Sequence, residues 1–379
     1  MAALNIAFVI NSLGGGGAER VVARLSSHLA AQGFGVLIIC LNKAETAYPL
    51  HPAVRVKTLV DRKKHEGLVR RAWYAWLTFS RLGTALKEAK LACVIAFMTS
   101  ANIWTALAAK RHRIPYIVSE RNAPEYGVSE LNRLALRVCA KLYQQADAVV
   151  LPSAGIAEGL KRQSAFAGLA NYVVINNPVD RQISYPVAAV HPEPFILAVG
   201  RLNYQKGFDR LIDAYSKLGA GAPDLLIAGE GGERAALTEQ ISRLGLMGRV
   251  VLLGPVKELQ GYYLQARLFV LSSRNEGYPN ALIEAMSCGC ACIAADCEFG
   301  PAEIIKTGEN GLLVRNGDQN ALVNAMRLLL KDEGLRKKIG RQAAAIAESN
   351  SIEKISHRWV TLLNHSARRV NRTDSSKVI

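Results

Sequence analysis

A strand, a loop, a helix and a second strand follow one another within residues 268–296, and this order constrains the fold more than any other part of the chain. Residues 268–271 are apolar, residues 282–286 carry apolar side chains at helical spacing, and a second apolar run closes the stretch. Pro279 and Asn280 stand where the helix should begin. Strands that alternate with a helix in this way predict an α/β fold.

Two glutamates lie in this stretch, Glu276 in the loop and Glu284 on the helix. The start of a helix has unpaired N–H groups and partial positive charge, so residues 280–282 (Asn280, Ala281 and Leu282) suit a phosphate. Carboxylates beside such a helix start can accept hydrogen bonds from sugar hydroxyls. The stretch therefore indicates a nucleotide-sugar site, although two glutamates alone are also compatible with ordinary solvated charges.

The bulk properties indicate a folded protein of two domains with an anionic partner. The chain has 379 residues, too many for one ordinary core, and its 50% hydrophobic content argues against disorder. A formal net charge of +16 favours nucleic acid, acidic lipid or a phosphorylated substrate as partner. We find no helix-turn-helix spacing, zinc-ligand set or aromatic RNA-binding sheet, which argues against nucleic acid.

The chain shows no targeting or redox signature. Residues 1–10 lack a basic start and a cleavage site, so they predict a first strand rather than a signal peptide. Residues 91–109 are uncharged but contain four polar side chains, which favours a buried strand and helix over a membrane span. The seven cysteines include no Cys-x-x-Cys pair and predict reduced thiols in a cytoplasmic protein. Cys288, Cys290 and Cys292 alternate and could share one face of a strand, as buried small residues rather than metal ligands.

The second half of the chain begins again with a strand, residues 195–199, which leads into a glycine-flanked loop. Arg201 and Lys206 lie in this loop. At the carboxyl end of a strand, two such cations can reach one diphosphate from two sides.

A glycine-rich loop also follows the first predicted strand. Gly16 and Gly17 have no side chains, so their backbone amides can approach a diphosphate closely. Glu19 stands where the last glycine of a G-x-G-x-x-G dinucleotide motif would fall, so that motif is absent. A plain turn is the alternative interpretation.

Residues 61–90 combine basic and aromatic side chains. On a helix, Lys63, Arg70, Tyr74 and Arg81 would fall within about 20° of one line, with the outer pair roughly 27 Å apart. A basic stripe beside tryptophans suits an anionic membrane surface, where each cation contributes on the order of 1 kcal/mol. An ordinary solvated helix face is the alternative.

Polar residues follow the predicted strand at residues 116–118. Glu120 and Arg121 stand at its carboxyl end, where open α/β sheets place ligands. We therefore predict that Arg121 contacts an acceptor, with a structural Glu120–Arg121 pair as the alternative.

The chain resembles the retaining GT-B glycosyltransferases of family 4. Within that family, its sequence is similar to the bacterial enzymes of polysaccharide and lipid-linked oligosaccharide assembly. The resemblance rests on Glu276 and Glu284 within EGYPNALIEAMSCG, on the GGAER segment, and on Arg201 and Lys206. It implies that Glu276 faces the hydroxyls of the donor sugar, Glu284 faces the ribose, and both cations bind the leaving nucleoside diphosphate.

Further expectations follow from the resemblance. Gly254 and Val256 are expected near the nucleotide base, and the basic helix is expected to bind the diphosphate of a polyprenyl-linked acceptor. Many relatives carry histidine where Arg121 stands, so this position implies a different donor sugar or acceptor.

The expected architecture is two Rossmann-like doubly wound domains that face each other across a cleft. We predict an acceptor-binding domain at residues 1–184 and a nucleotide-sugar-binding domain at residues 195–350. Residues 351–379 would form a helix that returns to the first domain, followed by a loose basic tail. The proline- and alanine-rich residues 185–194 mark the boundary.

The predicted function is transfer of a hexose or N-acetylhexosamine from a UDP-sugar to a polyprenyl-diphosphate-linked saccharide at the cytoplasmic face of the membrane. No metal and no protein nucleophile are expected, because the two cations can stabilise the leaving group. The alternatives are a transferase with a soluble acceptor, a GT-B epimerase that acts on a UDP-sugar, and a non-catalytic anion-binding protein.

Overall fold

The computed structural model describes residues 4–61, 67–179 and 188–375. The chain packs into two units, one made of Met1–Pro178 with Ile352–Ile379 and the other of Val179–Ser351. The division falls at residues 178 and 179, before the proline-rich stretch that suggested the boundary. Val179 explains the difference, because its fully buried side chain belongs to a core cluster of the second unit.

Seven described strands form the sheet of the first unit: β1 (Asn5–Ile10), β2 (Gly35–Asn42), β3 (Arg55–Val60), β4 (Cys93–Phe97), β5 (Tyr116–Ser119), β6 (Ala148–Leu151) and β7 (Tyr172–Val174). They are all parallel and stand in the order β3-β2-β1-β4-β5-β6-β7. The chain moves outward from β1 to β3 and then continues on the other side of β1. The strand order therefore reverses between β1 and β4, which is where open α/β sheets bind ligands.

The helices between these strands are α1 (Gly17–Ala31), α2 (Leu68–Glu88), α3 (Thr99–His112), α4 (Arg133–Gln144) and α5 (Ala154–Arg162). Short 3-10 turns occupy Pro124–Tyr126, Val128–Glu130 and Ser164–Phe166. The strand β4 and the helix α3 confirm the interpretation of residues 91–109 as a buried strand and a helix. Among the described residues, no helix combines the length and the apolar character needed to cross a bilayer.

Six described strands form the sheet of the second unit: β8 (Phe195–Val199), β9 (Asp224–Ala228), β10 (Val250–Gly254), β11 (Leu268–Leu271), β12 (Cys292–Asp296) and β13 (Leu312–Arg315). They are parallel, in the order β10-β9-β8-β11-β12-β13. Here the strand order reverses between β8 and β11. The strand–helix–strand pattern predicted at residues 268–296 corresponds to β11, a helix and β12.

The helices of the second unit are α6 (Phe208–Ser216), α7 (Arg234–Arg243), α8 (Gln260–Gln265), α9 (Asn280–Ser287), α10 (Pro301–Ile304), α11 (Gln319–Lys331), α12 (Glu333–Ala343) and α13 (Ile346–Ser349), with a 3-10 turn at Tyr204–Lys206. The three alternating cysteines do not share a strand, because Cys288 ends α9 and only Cys292 lies on β12.

The last helix, α14 (Ile352–Ser375), belongs to the first unit. Ile355, Trp359 and Leu363 are buried in the same core cluster as side chains of β1, β2, β4 and α1. The packing of these three side chains agrees with the prediction that the last helix returns to the first domain. The expected loose tail is wrong over residues 368–375, whose backbone continues the helix.

Candidate active site

Two loops meet where the strand order of the second unit reverses. One loop follows β8 and the other follows β11, and these two strands are hydrogen-bonded neighbours. Because both strands run in the same direction, their carboxyl ends lie at one edge of the sheet. Residues 200–207 and 272–279 are therefore brought together, although about 70 positions separate them.

Lys206 and Glu276 form an ion pair between these loops. Lys206 Nζ donates to Glu276 Oε1 at 2.5 Å, and Ser273 Oγ donates to the same oxygen at 2.6 Å. The side chain of Glu276 is 7% exposed and that of Lys206 is 18% exposed. A carboxylate this buried needs partners of this kind, because an unpaired charge would be strongly destabilising. The arrangement holds one acid and one cation at the end of the sheet.

A glycine next to the strand makes room for the lysine. A Cβ atom built on Gly200 would lie 3.1 Å from Lys206 Cδ, so the absence of a side chain lets the lysine stem lie against the backbone. Arg201, the next residue, is exposed and has no ion-pair partner among the described residues. Arg201 and Lys206 lie in the same loop. Because Arg201 is exposed, its charge is accessible to a ligand.

Glu284 lies in the second turn of α9 and is 4% exposed. Tyr263 OH donates to Glu284 Oε2 at 3.3 Å. The helix begins directly after Pro279, and no side chain of a described residue caps it. Of the three residues predicted to bind a phosphate in the first turn, Leu282 is the least suited to do so. Its backbone amide already donates to the Pro279 carbonyl at 3.1 Å. Asn280 and Ala281 lie at the helix start as predicted.

Gly254 and Val256 lie at the end of β10, one strand beyond β9. Gly254 has a φ of +77° and accepts a hydrogen bond from Gly229 N at 2.8 Å, which ties the ends of β9 and β10 together. Val256 is half-buried. The position at the sheet edge is compatible with the backbone contact that the resemblance implies, and that contact stays a prediction.

The glycine loop of the first unit lies at the reversal point of its own sheet. Gly16 precedes α1, and Gly17 is the first residue of that helix, which has no side-chain cap among described residues. Two residues that the sequence analysis missed support this loop. Tyr48 OH donates to the Gly16 carbonyl at 3.2 Å, and the guanidinium of Arg20 lies 5.3 Å from the Tyr48 ring centroid. The GGAER segment contains Arg20, but no local pattern indicates Tyr48, which comes from a loop after β2.

Arg121 is buried, unlike the accessible acceptor contact that we predicted. Its guanidinium lies 5.0 Å from the Phe97 ring centroid and 5.8 Å from that of Trp359. Nη1 donates to Asn177 Oδ1 at 2.7 Å. Burial lowers the pKa of Arg121, and the neighbouring Glu120 opposes this change. The position corrects the expectation: Arg121 joins β4, α14 and the segment after β7 within one core.

Glu120 is not a simple ion-pair partner of Arg121 either. Thr99 Oγ1 donates to Glu120 Oε2 at 2.8 Å, and Tyr143 OH donates to the same oxygen at 2.9 Å. Burial raises the pKa of Glu120, while these hydrogen bonds partly offset that effect. The carboxyl group therefore serves a buried network at the end of β5.

The predicted basic stripe lies partly on α2. Lys63 lies outside the described residues, and Arg70, Tyr74 and Arg81 lie on α2, which begins at Leu68. Arg70 is exposed in the first turn, whereas Arg81 Nη1 donates to the Leu59 carbonyl of β3 at 2.5 Å. Both arginines are exposed, and Arg81 is in addition held by this hydrogen bond to β3.

An exposed aromatic pair lies on α2 next to these cations. Trp73 and Trp76 are 56% and 58% exposed, and their ring centroids are 5.0 Å apart in a stacked arrangement. Val69, one turn earlier, is 86% exposed. These large apolar side chains are exposed on a helix that also carries the exposed Arg70 and Arg71.

Comparison with known proteins identifies the class to which this fold and site belong. The model "Glycosyl transferases group 1" matches residues 180–345, and "Glycosyl transferase 4-like domain" matches residues 16–178. Among solved structures, sucrose-phosphate synthase from Thermosynechococcus elongatus is similar with a TM-score of 0.81 and 20% identity over 96% of this chain and 98% of that one. Anabaena HepE in complex with UDP is similar with a TM-score of 0.77 and 20% identity over 96% and 100%. The fold is therefore GT-B, the fold of these glycosyltransferases.

Two curated relatives are similar over nearly the whole chain. The N-acetylgalactosamine-N,N'-diacetylbacillosaminyl-diphospho-undecaprenol 4-alpha-N-acetylgalactosaminyltransferase of Campylobacter jejuni is 30% identical over 91% of this chain and 95% of its own length. The amylovoran biosynthesis glycosyltransferase AmsD of Erwinia amylovora is 29% identical over 92% and 96%. The chain belongs to the family-4-type glycosyltransferases and is a hexosyltransferase.

Proposed function

We propose that this glycosyltransferase moves a hexose or N-acetylhexosamine from a UDP-sugar to a saccharide on a polyprenyl diphosphate, with retention of the anomeric configuration. The observation that carries the proposal is the contact between Lys206 and Glu276 at the reversal point of the second sheet. A cation and an acid held together at this edge can bind a diphosphate and a sugar hydroxyl at the same time.

Support for UDP as the nucleotide comes from the solved neighbours. Anabaena HepE was solved in complex with UDP and with UDP-glucose, and its fold covers almost all of this chain. The start of α9 offers positive charge for a phosphate, and Glu284 on that helix offers a carboxylate for the ribose. Gly16 and Gly17 at the start of α1 are the proposed contribution of the first unit to the diphosphate.

The proposed mechanism is stabilisation of the leaving group. Negative charge grows on the diphosphate as the glycosidic bond breaks, and in this mechanism Arg201, Lys206 and the start of α9 stabilise that charge. The acceptor hydroxyl transfers its proton to the departing diphosphate, so the reaction needs no general base from the protein. The two cations also take the part that a divalent metal takes in other transferases.

Support for the acceptor comes from the named relatives and from α2. The Campylobacter relative's name specifies a diphospho-undecaprenol saccharide. On α2, Trp73 and Trp76 offer apolar surface beside Arg70 and Arg71, a combination that fits an anionic membrane surface. We propose that the protein acts at the cytoplasmic face of the membrane, where its free cysteines would stay reduced.

The test of the reaction is mass spectrometry of products. The full-length protein is incubated in EDTA with a panel of UDP-sugars and one polyprenyl-diphosphate-linked saccharide. We expect one UDP-sugar to add a single hexose or N-acetylhexosamine mass, and the product linkage to keep the donor's anomeric configuration by NMR.

Controls separate the other functions. A change of sugar in the donor-only reaction indicates an epimerase, and addition to a soluble saccharide but not to the lipid-linked one indicates a soluble acceptor. Donor binding without turnover, unchanged by Glu276→Ala, indicates an anion-binding protein. Each of these results contradicts the proposal.

The membrane surface predicts the behaviour of a double variant, Trp73→Ser with Trp76→Ser. Both side chains are more than half exposed, so the fold should be kept while apolar contact with lipid is lost. We expect binding to vesicles that contain anionic lipid to weaken at least about tenfold in a sedimentation assay. Leu328→Ser removes a side chain that is 47% exposed on α11 and is the matched control, with no expected change. Equal binding of the double variant and wild type would exclude this surface.

A further inference from the structure

Arg274 lies between Glu276 and the strand β11, yet neither motif nor resemblance assigns it a role. The two loops that present Lys206 and Glu276 extend beyond the ends of their strands, so the sheet ladder does not hold them together there. Contacts outside the sheet therefore fix their relative position, and they include contacts between the loops themselves. Arg274 makes several of these contacts with both its side chain and its backbone.

The contacts of Arg274 reach the loop at residues 200–207 and the start of α6. Its guanidinium forms two parallel bonds to Asp209 at the start of α6, Nη1 to Oδ1 at 2.8 Å and Nη2 to Oδ2 at 2.6 Å. Nη1 also donates to the Tyr204 carbonyl at 2.7 Å, and the guanidinium lies 3.9 Å from the Tyr204 ring centroid. The backbone N–H donates to the Gln205 carbonyl at 2.8 Å. These contacts flank Lys206 on both sides in sequence.

The backbone around Lys206 depends on the same junction. Ser272 Oγ donates to the Lys206 carbonyl at 3.0 Å. Gly207 has a φ of +63°, and a Cβ atom there would lie 2.3 Å from the Ser272 carbonyl, so the two loops approach as closely as a glycine permits. A small shift of one loop would therefore move Lys206 away from Glu276.

The side chain of Arg274 suits this role better than an ordinary surface ion pair. It is 12% exposed, whereas Asp209 is 45% exposed, so the solvent weakens the charge attraction at the aspartate. The planar guanidinium combines bidentate bonding with ring stacking, which a lysine cannot reproduce. Burial by itself raises the pKa of Asp209, but the hydrogen bonds and the charge of Arg274, together with the backbone N–H groups of residues 209 and 210, leave the pKa lowered.

We propose that Arg274 is a positioning residue that fixes the loop after β8 against the loop after β11, so that Lys206 stays in place beside Glu276. Arg274 does not touch the reacting atoms and acts through Lys206. The inference rests on the proposed function, because its main readout is sugar transfer.

The test is a double-mutant cycle of Arg274→Ala and Lys206→Ala, measured as kcat and KM for the UDP-sugar. In the wild-type background, Arg274→Ala should lower kcat by about 10²-fold, because a displacement of about 1 Å at a reacting group has such an effect. In the Lys206→Ala background it should lower kcat by less than about threefold, since the group that it positions is gone. Arg274→Lys should recover only part of the loss.

Arg249→Ala is the matched control. Arg249 donates to the carbonyls of Gly219 and Ala222 and lies 5.5 Å from the Tyr215 ring centroid, but it stands before β10, at the opposite end of the strands. We expect it to change stability but not kcat. An equal fractional loss in both backgrounds, or a loss as large in Arg249→Ala, would overturn the role of Arg274. A wild-type protein that transfers no sugar would instead count against the proposed function.

Discussion

Lys206→Ala is expected to lower kcat for sugar transfer by about a hundredfold or more, which corresponds to roughly 3 kcal/mol in the barrier. The reason is that Lys206 Nζ, held 2.5 Å from Glu276 Oε1, supplies a positive charge to the departing diphosphate in the proposed mechanism, and a neutral water molecule cannot replace that charge. The effect should fall on kcat more than on the KM for the donor, because the diphosphate gains charge in the transition state. Steady-state kinetics with the lipid-linked acceptor give both constants.

Lys217→Ala is the control for the loss of one positive charge from the second unit. Lys217 is exposed at the end of α6, away from the carboxyl ends of the strands. It should keep wild-type kcat within about twofold, as surface substitutions generally do. A Lys206→Ala enzyme with wild-type kcat would show that this lysine does not stabilise the leaving group.

Trp359→Ala should destabilise the first unit by about 3–5 kcal/mol, the usual cost of removing a large buried aromatic side chain. Trp359 is 1% exposed, its ring centroid lies 5.8 Å from that of Phe97, and the Arg121 guanidinium lies 5.8 Å from the Trp359 ring centroid. The substitution therefore leaves a cavity where α14 meets β4. Urea denaturation followed by circular dichroism should show a lower midpoint for the affected transition.

A second tryptophan provides the control for this stability change. Trp76→Ala removes the same side chain from the surface of α2, where it is 58% exposed, and should change stability by no more than about 0.5 kcal/mol. If Trp359→Ala were as mild as Trp76→Ala, the packing of α14 in the core of the first unit would be wrong.

The sequence predicted the strands and the helix start of the second unit because both depend on local patterns. Residues 268–271 form β11 as expected, and α9 starts at Asn280, directly after a proline that fixes its entry. The pairing of Lys206 with Glu276 follows from topology once the sheet is known to be parallel and to reverse between β8 and β11.

The remaining errors concern contacts between distant segments. Arg121 reads as an accessible cation because its partners, Phe97, Asn177 and Trp359, come from three other parts of the chain. Arg274 lies two residues before the recognised motif, but its importance depends on Asp209 and Tyr204, which no spacing rule connects to it. A local sequence pattern shows which element carries a charged side chain. It does not show whether an aromatic ring or a carbonyl from a distant part of the chain will bury that side chain.

The most direct test of the account is calorimetric titration of UDP into the wild-type protein and into the double variant Arg201→Ala with Lys206→Ala. We expect one UDP to bind each wild-type chain and binding to weaken by at least about a hundredfold in the double variant, since two cations that meet the diphosphate are gone. Equal affinity in the two proteins would contradict the placement of the nucleotide at the ends of β8 and β11.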